Sequence, residues 1–295
     1  MLFTGASSAP GARVLKRLLE RADYSEIWCG VNWRDVPLTH PKLRRFPLNL
    51  AAEISLEPIT KPLDLVIHFA GLTHISNQTG YWEVNLQGTK NLAKQARARG
   101  CQRFFYVSTR CAAQGSGGYG ESKLAAEEAL KGMNWESLLI VRPAEIFGGN
   151  SREGLDKLMW MAARLHIAPL LWGHRKIQFA PIHIDDFVHC VCRLLSAEAR
   201  GIETIELCGP EELSGPAVAL RLARKYRAVP IPLWWPALAL TLKALRLLGL
   251  PQVTPDQISR LVGPKTASVS SPECASLPMH RFPQNAISGI NDRGS

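Results

Sequence analysis

Tyr119 and Lys123 stand four residues apart in the segment Tyr-Gly-Glu-Ser-Lys. On a helix, residues at that spacing lie on the same face, one turn from each other. A lysine ammonium beside a phenol favours the phenolate, so the tyrosine can exchange a proton nearer neutral pH than its ordinary pKa of about 10 allows. The pair therefore indicates proton transfer with a substrate hydroxyl while a hydride moves at the same carbon. The same spacing also occurs by chance on surface helices. The residues around the pair therefore determine whether it indicates a catalytic site.

Two hydroxyl residues follow a predicted buried strand upstream of this pair. The strand is the apolar and aromatic run from Phe104 to Val107, and it ends in Ser108 and Thr109. Ligands of open α/β sheets lie beyond the carboxyl ends of the strands. We therefore expect both hydroxyls beside the substrate, where they would form a hydride-transfer site with the tyrosine and the lysine.

This combination resembles the extended branch of the short-chain dehydrogenase/reductase superfamily, the NAD(P)-dependent epimerase/dehydratase family. The resemblance implies that Tyr119 is the general acid/base. It implies that Lys123 binds the nicotinamide ribose and lowers the pKa of the tyrosine, and that Thr109 hydrogen-bonds the reacting oxygen. This chemistry needs no metal ion, so we expect none.

The N-terminus has the context of a dinucleotide fingerprint, which is a strand, a glycine-containing turn and a helix. Residues 1–3 form the start of the strand, and the helix is predicted over 12–21. Gly5 would make the tight turn, and Gly11 would allow close packing and leave the helix N-terminus facing the pyrophosphate. The family has a further glycine between these two, where this chain has Ser8 or Ala9. Pro10 also supplies no backbone N–H.

Two neighbouring features of the cofactor site have alternative interpretations. Ser7 and Ser8 either offer hydroxyls to phosphate or only cap the helix. A second strand is predicted over 26–31, and no carboxylate stands at its immediate end to bind the ribose hydroxyl of NAD. We therefore expect NAD or NADP, with a slight preference for NADP and with Arg34 as ligand of its phosphate. The alternative is that Arg34 is a solvated loop residue.

Further family motifs follow in the family order. The segment 63–71 resembles a strand whose last residues, Ala70 and Gly71, run close to the cofactor. His68 lies inside this apolar strand, so we expect a packed core histidine. Asn85 belongs to a Val-Asn-x-x-Gly-Thr motif, and in the family the corresponding asparagine supports the active-site framework. The implied cofactor-binding residues are Gly5, Ser7, Ser8, Gly11, Arg34, Ala70, Gly71, Asn85, Ser108, Tyr119, Lys123, Pro143 and Ile146.

Two motifs lie further along the chain. A strand predicted over 135–142 leads into Arg-Pro-Ala, a turn that approaches the nicotinamide in the family. The segment 177–186 resembles the family motif His-Val-x-Asp, which opens a helix that we expect to run through Leu195. We interpret His183 and Asp185 as structural, with Asp185 or Asp186 capping that helix. The loop 110–118 is shorter than in many sugar-nucleotide epimerases, and it is either a mobile cover over the site or a tight connection.

The expected fold class is α/β, a Rossmann-type doubly wound parallel sheet with a smaller C-terminal substrate-binding lobe. We assign 1–165 to the dinucleotide-binding domain, completed by about 178–208, and 166–177 with 209–295 to the lobe. A further weak strand is expected at 46–48, another at 205–210 and a helix at 216–227. The apolar stretch 231–250 predicts a packed amphipathic helix of the smaller lobe. The alternative interpretation is that this stretch forms a lipid-facing surface. The pattern fades after Ser268.

Composition narrows the function classes. The 295 residues carry a formal charge of +10, with 46% hydrophobic and 20% charged residues. Because no dense basic run is present, we expect no nucleic-acid partner. Seven scattered cysteines indicate neither a disulfide framework nor a zinc site, and the N-terminal strand indicates no signal peptide, so we expect a cytoplasmic protein. The family resemblance implies a homodimer.

Three functions agree with the sequence. The first is epimerase/dehydratase-like hydride transfer at a carbinol or ketone carbon of a small molecule, with a nucleotide sugar as the substrate. The second is net NADP-dependent oxidation or reduction of a lipid-like or steroid-like alcohol, which the short loop and the apolar stretch favour. The third is a non-catalytic cofactor-binding accessory protein resembling the nucleotide-binding subunit of respiratory complex I. The altered glycine turn favours this third function, and the retained Thr109, Tyr119 and Lys123 count against it.

Overall fold

The computed structural model describes residues 1–73, 79–151, 153–172, 177–197, 200–237, 240, 260, 262–267, 269–275 and 279–283. The strands are β1 Leu2–Thr4, β2 Ile27–Val31, β3 Leu43–Pro47, β4 Leu65–His68, β5 Arg103–Val107, β6 Ser137–Pro143, β7 Ile146–Phe147, β8 Ile167–Trp172, β9 Gln178–Phe179, β10 Ile182–His183, β11 Gly201–Leu207, β12 Leu213–Ser214 and β13 Val229–Trp234. The helices are α1 Ala9–Leu19, α2 Thr79–Tyr81, α3 Thr89–Ala98, α4 Gly117–Lys131, α5 Gly154–Arg164, α6 Ile184–Ser196, α7 Gly215–Tyr226 and α8 Pro272–Ala275.

Seven strands form one parallel sheet in the order β3-β2-β1-β4-β5-β6-β11. The strand order reverses between β1 and β4, which is the switch point at which doubly wound sheets bind their ligands. The central strands are short and almost wholly apolar, because helices cover both faces of the sheet. The predicted Rossmann-type sheet is confirmed.

Helices pack on the two faces through separate apolar cores. On one face, Leu15 and Leu18 of α1 pack with Val191 of α6. On the other face, Leu92 of α3 packs with Leu130 of α4. The buried apolar residues of these helices recur at the 3–4 residue spacing typical of amphipathic helices. With both faces covered in this way, the carboxyl edge of the sheet is left for the site.

Helix α1 begins at Ala9, three residues earlier than predicted. Ser8 is its N-cap, and the Ser8 hydroxyl accepts a hydrogen bond from the Gly11 N–H at 3.2 Å. Pro10 lies in the first turn, where a missing N–H costs little. The capping role predicted as one alternative for Ser8 is therefore observed.

The helical segment around Asn85 is not regular. It consists of α2, a π-helical segment Trp82–Gly88, and α3. A π-helical turn admits one extra residue and often occurs at functional sites. Here it carries Asn85, which is buried and points at the loop after β4.

A smaller core lies apart from the large sheet. It combines Ala162 of α5, Ala168 of β8, Leu222 of α7 and Trp235, which follows β13. Neither α5 nor β8 was predicted. Strand β13 pairs with β8 in parallel, so the helix predicted from residue 231 is wrong for residues 231–234. Prolines at alternate positions exclude a helix interior there, and residues 241–250 lie outside the described residues.

One further sequence expectation is wrong, and two strands begin earlier than predicted. The N-cap of α6 is His183, whose Nδ1 accepts from the Asp185 N–H at 3.3 Å, so the predicted cap by Asp185 or Asp186 is wrong. Strand β11 begins at Gly201, earlier than predicted. The sequence did not indicate this start because the first residues of the strand are exposed and have no apolar pattern. Strand β3 lies three residues before the predicted start. None of the described helices combines the length and the hydropathy needed to cross a bilayer.

Candidate active site

The predicted site residues meet at the carboxyl edge of the sheet. Gly5 follows β1, Arg34 lies beyond β2, and Ala70 with Gly71 follows β4. Ser108 and Thr109 follow β5, while Pro143 ends β6 and Ile146 starts β7. Parallel strands end at one edge, so residues scattered over the sequence become neighbours there.

The turn after β1 has room only for glycine at two positions. Gly5 has a φ of +79°, and a Cβ there would lie 2.4 Å from the Ala70 backbone nitrogen. A Cβ on Gly11 would lie 2.3 Å from the Gly5 carbonyl oxygen. The first turn of α1 is thereby held close against β1 and the loop after β4. Its N-terminus faces the sheet edge, as a pyrophosphate ligand requires.

This turn differs from a standard dinucleotide fingerprint in its donors. The Ser8 hydroxyl donates to the Gly5 carbonyl at 2.8 Å and accepts from the Gly11 N–H. Pro10 has no N–H, and the Gly11 N–H is used by the Ser8 hydroxyl. Two of the first three helical residues therefore offer no backbone donor to a phosphate. The residues still fit a dinucleotide, but with fewer donors at the helix N-terminus.

Lys123 is buried in α4 behind the end of β5. Its ammonium donates to the Val107 carbonyl at 2.7 Å and lies 4.2 Å from the centre of the Tyr106 ring. Burial lowers the pKa of Lys123 from 10.5 to about 7, and the nearby Glu127 carboxylate partly raises it. A lysine with this pKa can share its proton near neutral pH.

Asn85 joins the loop after β4 to α4. Its amide oxygen accepts from the Leu72 N–H at 2.8 Å, and its amide nitrogen donates to the Leu72 carbonyl at 3.1 Å. The same nitrogen donates to the Ser122 hydroxyl at 3.1 Å, one residue before the lysine. A Cβ on Gly71 would lie 3.7 Å from the Lys123 ammonium, so this loop runs directly over it. The expected framework role of Asn85 agrees with these bonds.

Gly120, the residue after Tyr119, packs closely against the loop after β5. A Cβ there would lie 2.1 Å from both the Cys111 carbonyl oxygen and the Ser116 hydroxyl oxygen. The first turn of α4 thus packs on the connection that carries Thr109, which is buried and accepts from the Cys111 N–H at 3.2 Å. Thr109 and Tyr119 thus stand at the two ends of one connection, and Lys123 follows Tyr119 by one turn of α4. A shared site of the three side chains stays a prediction.

The connection 110–116 is compact. The Ala112 N–H donates to the Thr109 carbonyl at 3.0 Å, and the Gly115 N–H donates to the Glu121 carboxylate at 3.0 Å. The Ser116 hydroxyl donates to the Ala113 carbonyl. Of the two interpretations given for this segment, these bonds favour a tight connection.

Ser108 belongs to a buried charge network that sequence reasoning missed. Its hydroxyl donates to Glu127, a fully buried residue of α4. Arg142 of β6 binds the same carboxylate through Nε at 3.0 Å and Nη2 at 2.5 Å, and it contacts Glu206 at 3.2 Å. The Ser108 hydroxyl thus donates its hydrogen bond to Glu127. The predicted contact of Ser108 with the cofactor stays a prediction. The one signal in the sequence is the four-residue spacing of Glu127 from Lys123.

Two other missed residues surround the ring of Tyr119. The Tyr81 ring meets it edge-on with centroids 6.1 Å apart, and the Arg260 guanidinium lies 4.6 Å from its centre. The Thr73 carbonyl accepts from the Tyr81 hydroxyl at 3.4 Å and from Arg260 Nη2 at 2.6 Å. No pattern in the sequence indicated Arg260, which comes from the far end of the chain.

The remaining predicted residues lie at the rim. The Arg34 guanidinium stacks on the exposed Trp33 ring at 4.2 Å, and the adjacent Asp35 pairs with Arg45 at 3.2 Å. The Pro143 carbonyl accepts from the Arg110 N–H at 3.0 Å, so the ends of β5 and β6 are tied together.

His68 and His280 lie outside the predicted site and make hydrogen bonds within the fold. His68 is buried between the Thr4 hydroxyl at 2.6 Å and the Thr89 hydroxyl at 3.0 Å, as expected for a core residue. Burial lowers the pKa of His68 to about 3. His280 Nδ1 pairs with Asp186 at 2.6 Å. No group of three metal-ligating side chains occurs in the described ranges. A cavity of about 1000 Å³ between α1 and α6 is lined by none of the predicted site residues.

Comparison with known proteins agrees with this geometry. A sequence model of the NAD dependent epimerase/dehydratase family matches residues 1–208. The chain is 35% identical over 139 residues to a ceramide reductase of Caulobacter vibrioides, a match that spans 47% of this chain and 42% of that protein. It is 25% identical over 273 residues to a UDP-glucose 4-epimerase of Vibrio cholerae, with 79% of each chain covered.

Solved structures show the same fold. The dTDP-glucose 4,6-dehydratase DesIV of Streptomyces venezuelae, solved with NAD and TYD bound, superposes with a TM-score of 0.67 and 20% identity. That match covers 88% of this chain and 95% of DesIV. The protein MoeE5, solved with UDP-glucuronic acid and NAD, gives a TM-score of 0.67 over 79% of this chain and 84% of its own, with 21% identity.

Proposed function

Because the chain belongs to the NAD-dependent epimerase/dehydratase family and is an NAD-dependent oxidoreductase of that type, we propose that Tyr119 is its general acid/base. The reaction is hydride transfer at a carbinol or ketone carbon. The observation that carries the proposal is the close packing of Gly120, the residue after Tyr119, on the connection that follows Thr109, one helical turn before the buried Lys123. A bound nicotinamide cofactor would accept or supply the hydride at this edge.

Each residue of the site has a defined task in this proposal. Tyr119 takes the proton of the substrate hydroxyl in the oxidative direction and returns it in reduction. Thr109 donates a hydrogen bond to the same substrate oxygen. Lys123 stabilises the phenolate and binds the nicotinamide ribose, and its lowered pKa lets it pass a proton near neutral pH. The turn at Gly5 and the start of α1 hold the pyrophosphate.

The cofactor in this proposal is NAD or NADP, with a slight preference for NADP. The support is the position of Arg34 beyond the end of β2, beside Trp33, while the nearest carboxylate, Asp35, is paired with Arg45. Titration of NADH and NADPH into wild type and Arg34→Ala tests it. NADPH affinity should fall in the variant and NADH affinity should not. Equal affinities that the substitution leaves unchanged would contradict the preference.

The first candidate substrate is a nucleotide sugar. The support is the match to the UDP-glucose 4-epimerase, which covers 79% of both chains. The second candidate is a lipid-like alcohol or ketone. Three observations favour it: the compact connection 110–116, the exposed apolar strand β13, and the partial match to a ceramide reductase.

Turnover by wild type and Tyr119→Phe separates an enzyme from a non-catalytic cofactor-binding protein. The probes are UDP-glucose with NAD, followed by NMR of the sugar, and a ceramide ketone with NADPH, followed at 340 nm. Wild type should turn over one probe, and the variant should lose at least about 100-fold while keeping cofactor affinity. Tyr24→Phe, a half-buried tyrosine outside the site, is the matched control.

Full turnover in Tyr119→Phe would refute the role of the tyrosine. Cofactor binding without turnover of either probe would favour the accessory protein over the enzyme.

A further inference from the structure

The charge of Lys123 is directed at the end of β5 and is lost as the pH rises. Its ammonium donates to the Val107 carbonyl at 2.7 Å and lies 4.2 Å from the centre of the Tyr106 ring. Burial lowers the pKa of Lys123 to about 7, so the group loses its positive charge above neutral pH. The support that this lysine gives to a Tyr119 phenolate therefore decreases in the same range.

A second cation lies over the ring of Tyr119. The carbon of the Arg260 guanidinium is 4.6 Å from the centre of this ring. Guanidinium groups are not deprotonated in proteins, so this charge stays when Lys123 has lost its own. Arg260 is half-buried, and solvent therefore screens its charge only in part.

The loop after β4 holds Arg260 in this position. Its Nη2 atom donates to the Thr73 carbonyl at 2.6 Å, and the same oxygen accepts from the Tyr81 hydroxyl at 3.4 Å. Tyr81 is fully buried, and its ring meets the Tyr119 ring edge-on with centroids 6.1 Å apart. Arg260 and Tyr81 thus share one acceptor and both contact the ring of Tyr119.

We propose that Arg260 is a positioning residue for Tyr119 and that its guanidinium stabilises the Tyr119 phenolate. The inference rests on the proposed role of Tyr119 as the general acid/base. A cation is attracted to the face of a neutral phenol ring, and the attraction becomes that of an ion pair once the phenol has lost its proton. Because the phenolate gains more than the phenol, Arg260 favours ionisation of Tyr119.

This role makes the C-terminal part of the chain a component of the site. Arg260 lies outside residues 1–208, which the family model matches. Beyond Arg260 the chain is bound to the sheet region, since the Thr266 N–H donates to the Arg110 carbonyl at 2.8 Å and the Ser271 N–H to the Glu206 carbonyl at 2.9 Å. Proton transfer by Tyr119 then depends on the docking of this part of the chain.

Other ionisable groups near Tyr119 do not supply this charge. Tyr106 and Cys111 are buried, and burial raises the pKa of both, so they stay neutral near pH 7. The Glu127 carboxylate, further along α4, is bound by Arg142.

The ionisation of Tyr119 can be followed by NMR in the nucleotide-free protein. Tyrosine labelled with carbon-13 at Cζ gives a signal for each of the five tyrosines, and the signal shifts when the phenol loses its proton. The signal that is missing in Tyr119→Phe belongs to Tyr119. In Arg260→Gln the Tyr119 signal should titrate about one pH unit higher than in wild type. Arg260→Lys, which keeps the positive charge, should recover most of the difference.

Arg44→Gln is the matched control, because it removes the same charge from β3, which three strands separate from β5. It should leave the titration of Tyr119 unchanged. Urea unfolding should show that each variant is folded, and Arg260→Met takes the place of Arg260→Gln if that variant is not.

Four results would overturn the proposal. Tyr119 titrates at the same pH in wild type and Arg260→Gln, or it stays protonated up to the pH at which wild type unfolds. Alternatively, Arg260→Lys titrates as Arg260→Gln does, so that charge is not the cause, or Arg44→Gln produces an equal shift.

The titration needs neither cofactor nor substrate, so it separates this inference from the proposed function. A shifted titration in Arg260→Gln without turnover by wild type would contradict the enzyme and support the role of Arg260. Turnover that depends on Tyr119, together with an unshifted titration, would contradict the role of Arg260 alone. Where wild type oxidises a probe, the pH at which kcat/KM rises should be higher in Arg260→Gln by the same amount as the NMR titration.

Discussion

Replacing Lys123 by methionine should remove a pH dependence of folding that the buried ammonium creates. Burial lowers the pKa of Lys123 from 10.5 to about 7 in the folded protein. Between these two values the unfolded chain binds one more proton than the folded chain, so this group makes stability rise with pH. Between about pH 7 and 8.5 the rise is about 1.6 kcal/mol, at roughly 1.4 kcal/mol per pKa unit.

Comparison with the variant isolates the lysine, because Lys225 and Lys265, whose pKa values burial also lowers, are present in both proteins. His68, whose pKa is lowered to about 3, and His183, whose pKa burial also lowers, change protonation on unfolding below about pH 6.5. The buried cysteines, whose pKa values are raised, act above about pH 8.5. The N-terminal amine has a lowered pKa and does contribute within the window, but it does so equally in wild type and variant.

Urea unfolding of the nucleotide-free protein at several pH values measures the effect. Wild type should become more stable from pH 7 to 8.5, and the profile of Lys123→Met should be flatter by about 1.6 kcal/mol. Lys131→Met is the matched control, because this lysine lies on the same helix, partly exposed, beside Glu128. Parallel profiles for wild type and Lys123→Met would refute the reasoning.

Three further substitutions test the framework of the site. Glu127→Gln should cost about 2–3 kcal/mol in urea unfolding because it leaves a buried guanidinium short of its carboxylate, whereas Glu128→Gln, at an exposed pair, should cost under about 0.5 kcal/mol. Equal losses would contradict the network. Gly120→Ala should cost about 1–3 kcal/mol, since its Cβ would meet a backbone carbonyl at 2.1 Å, and an unchanged urea midpoint would contradict the close packing. Ser8→Gly should tighten NADH binding about tenfold in calorimetry by releasing a helix N–H, with Ser214→Gly, at the N-cap of α7, as the control, and weaker binding would contradict this account of the turn.

The positions of the proposed reacting residues could be predicted because they follow from general rules. Tyr119 and Lys123 share a helix face by their spacing, and Ser108 and Thr109 reach the ligand edge because any parallel strand ends there. The core role of His68 followed from the apolar residues on both sides of it. These inferences need only local sequence and the fold class.

The network beneath the site could not be predicted, because it depends on which strands become neighbours. Glu127 meets Arg142 only when β6 pairs with β5 under α4. The position of Arg260 over Tyr119 likewise depends on how the far end of the chain returns to the sheet.

The errors in secondary structure have local causes. Residues 231–234 belong to an apolar run, and such a run alone predicts a helix as readily as a strand. Pro230 and Pro232 argue against the helix, and the pairing with β8 makes these residues a strand. Helix α6 begins at Ile184, so its N-cap is His183 and not an aspartate. The Nδ1 atom of His183 accepts a hydrogen bond from the Asp185 N–H.

The most direct test of the central claim is mass spectrometry of the nucleotide released from gently purified, then denatured, protein, followed by titration of NADH and NADPH if none is released. The account predicts a nicotinamide dinucleotide, either retained or bound reversibly on addition. Retained NAD would agree with an epimerase or dehydratase, which regenerates its cofactor in each cycle, and reversible NADPH binding would agree with a net reductase. A protein that neither retains nor binds any of these nucleotides would contradict the assignment of the sheet edge as a hydride-transfer site.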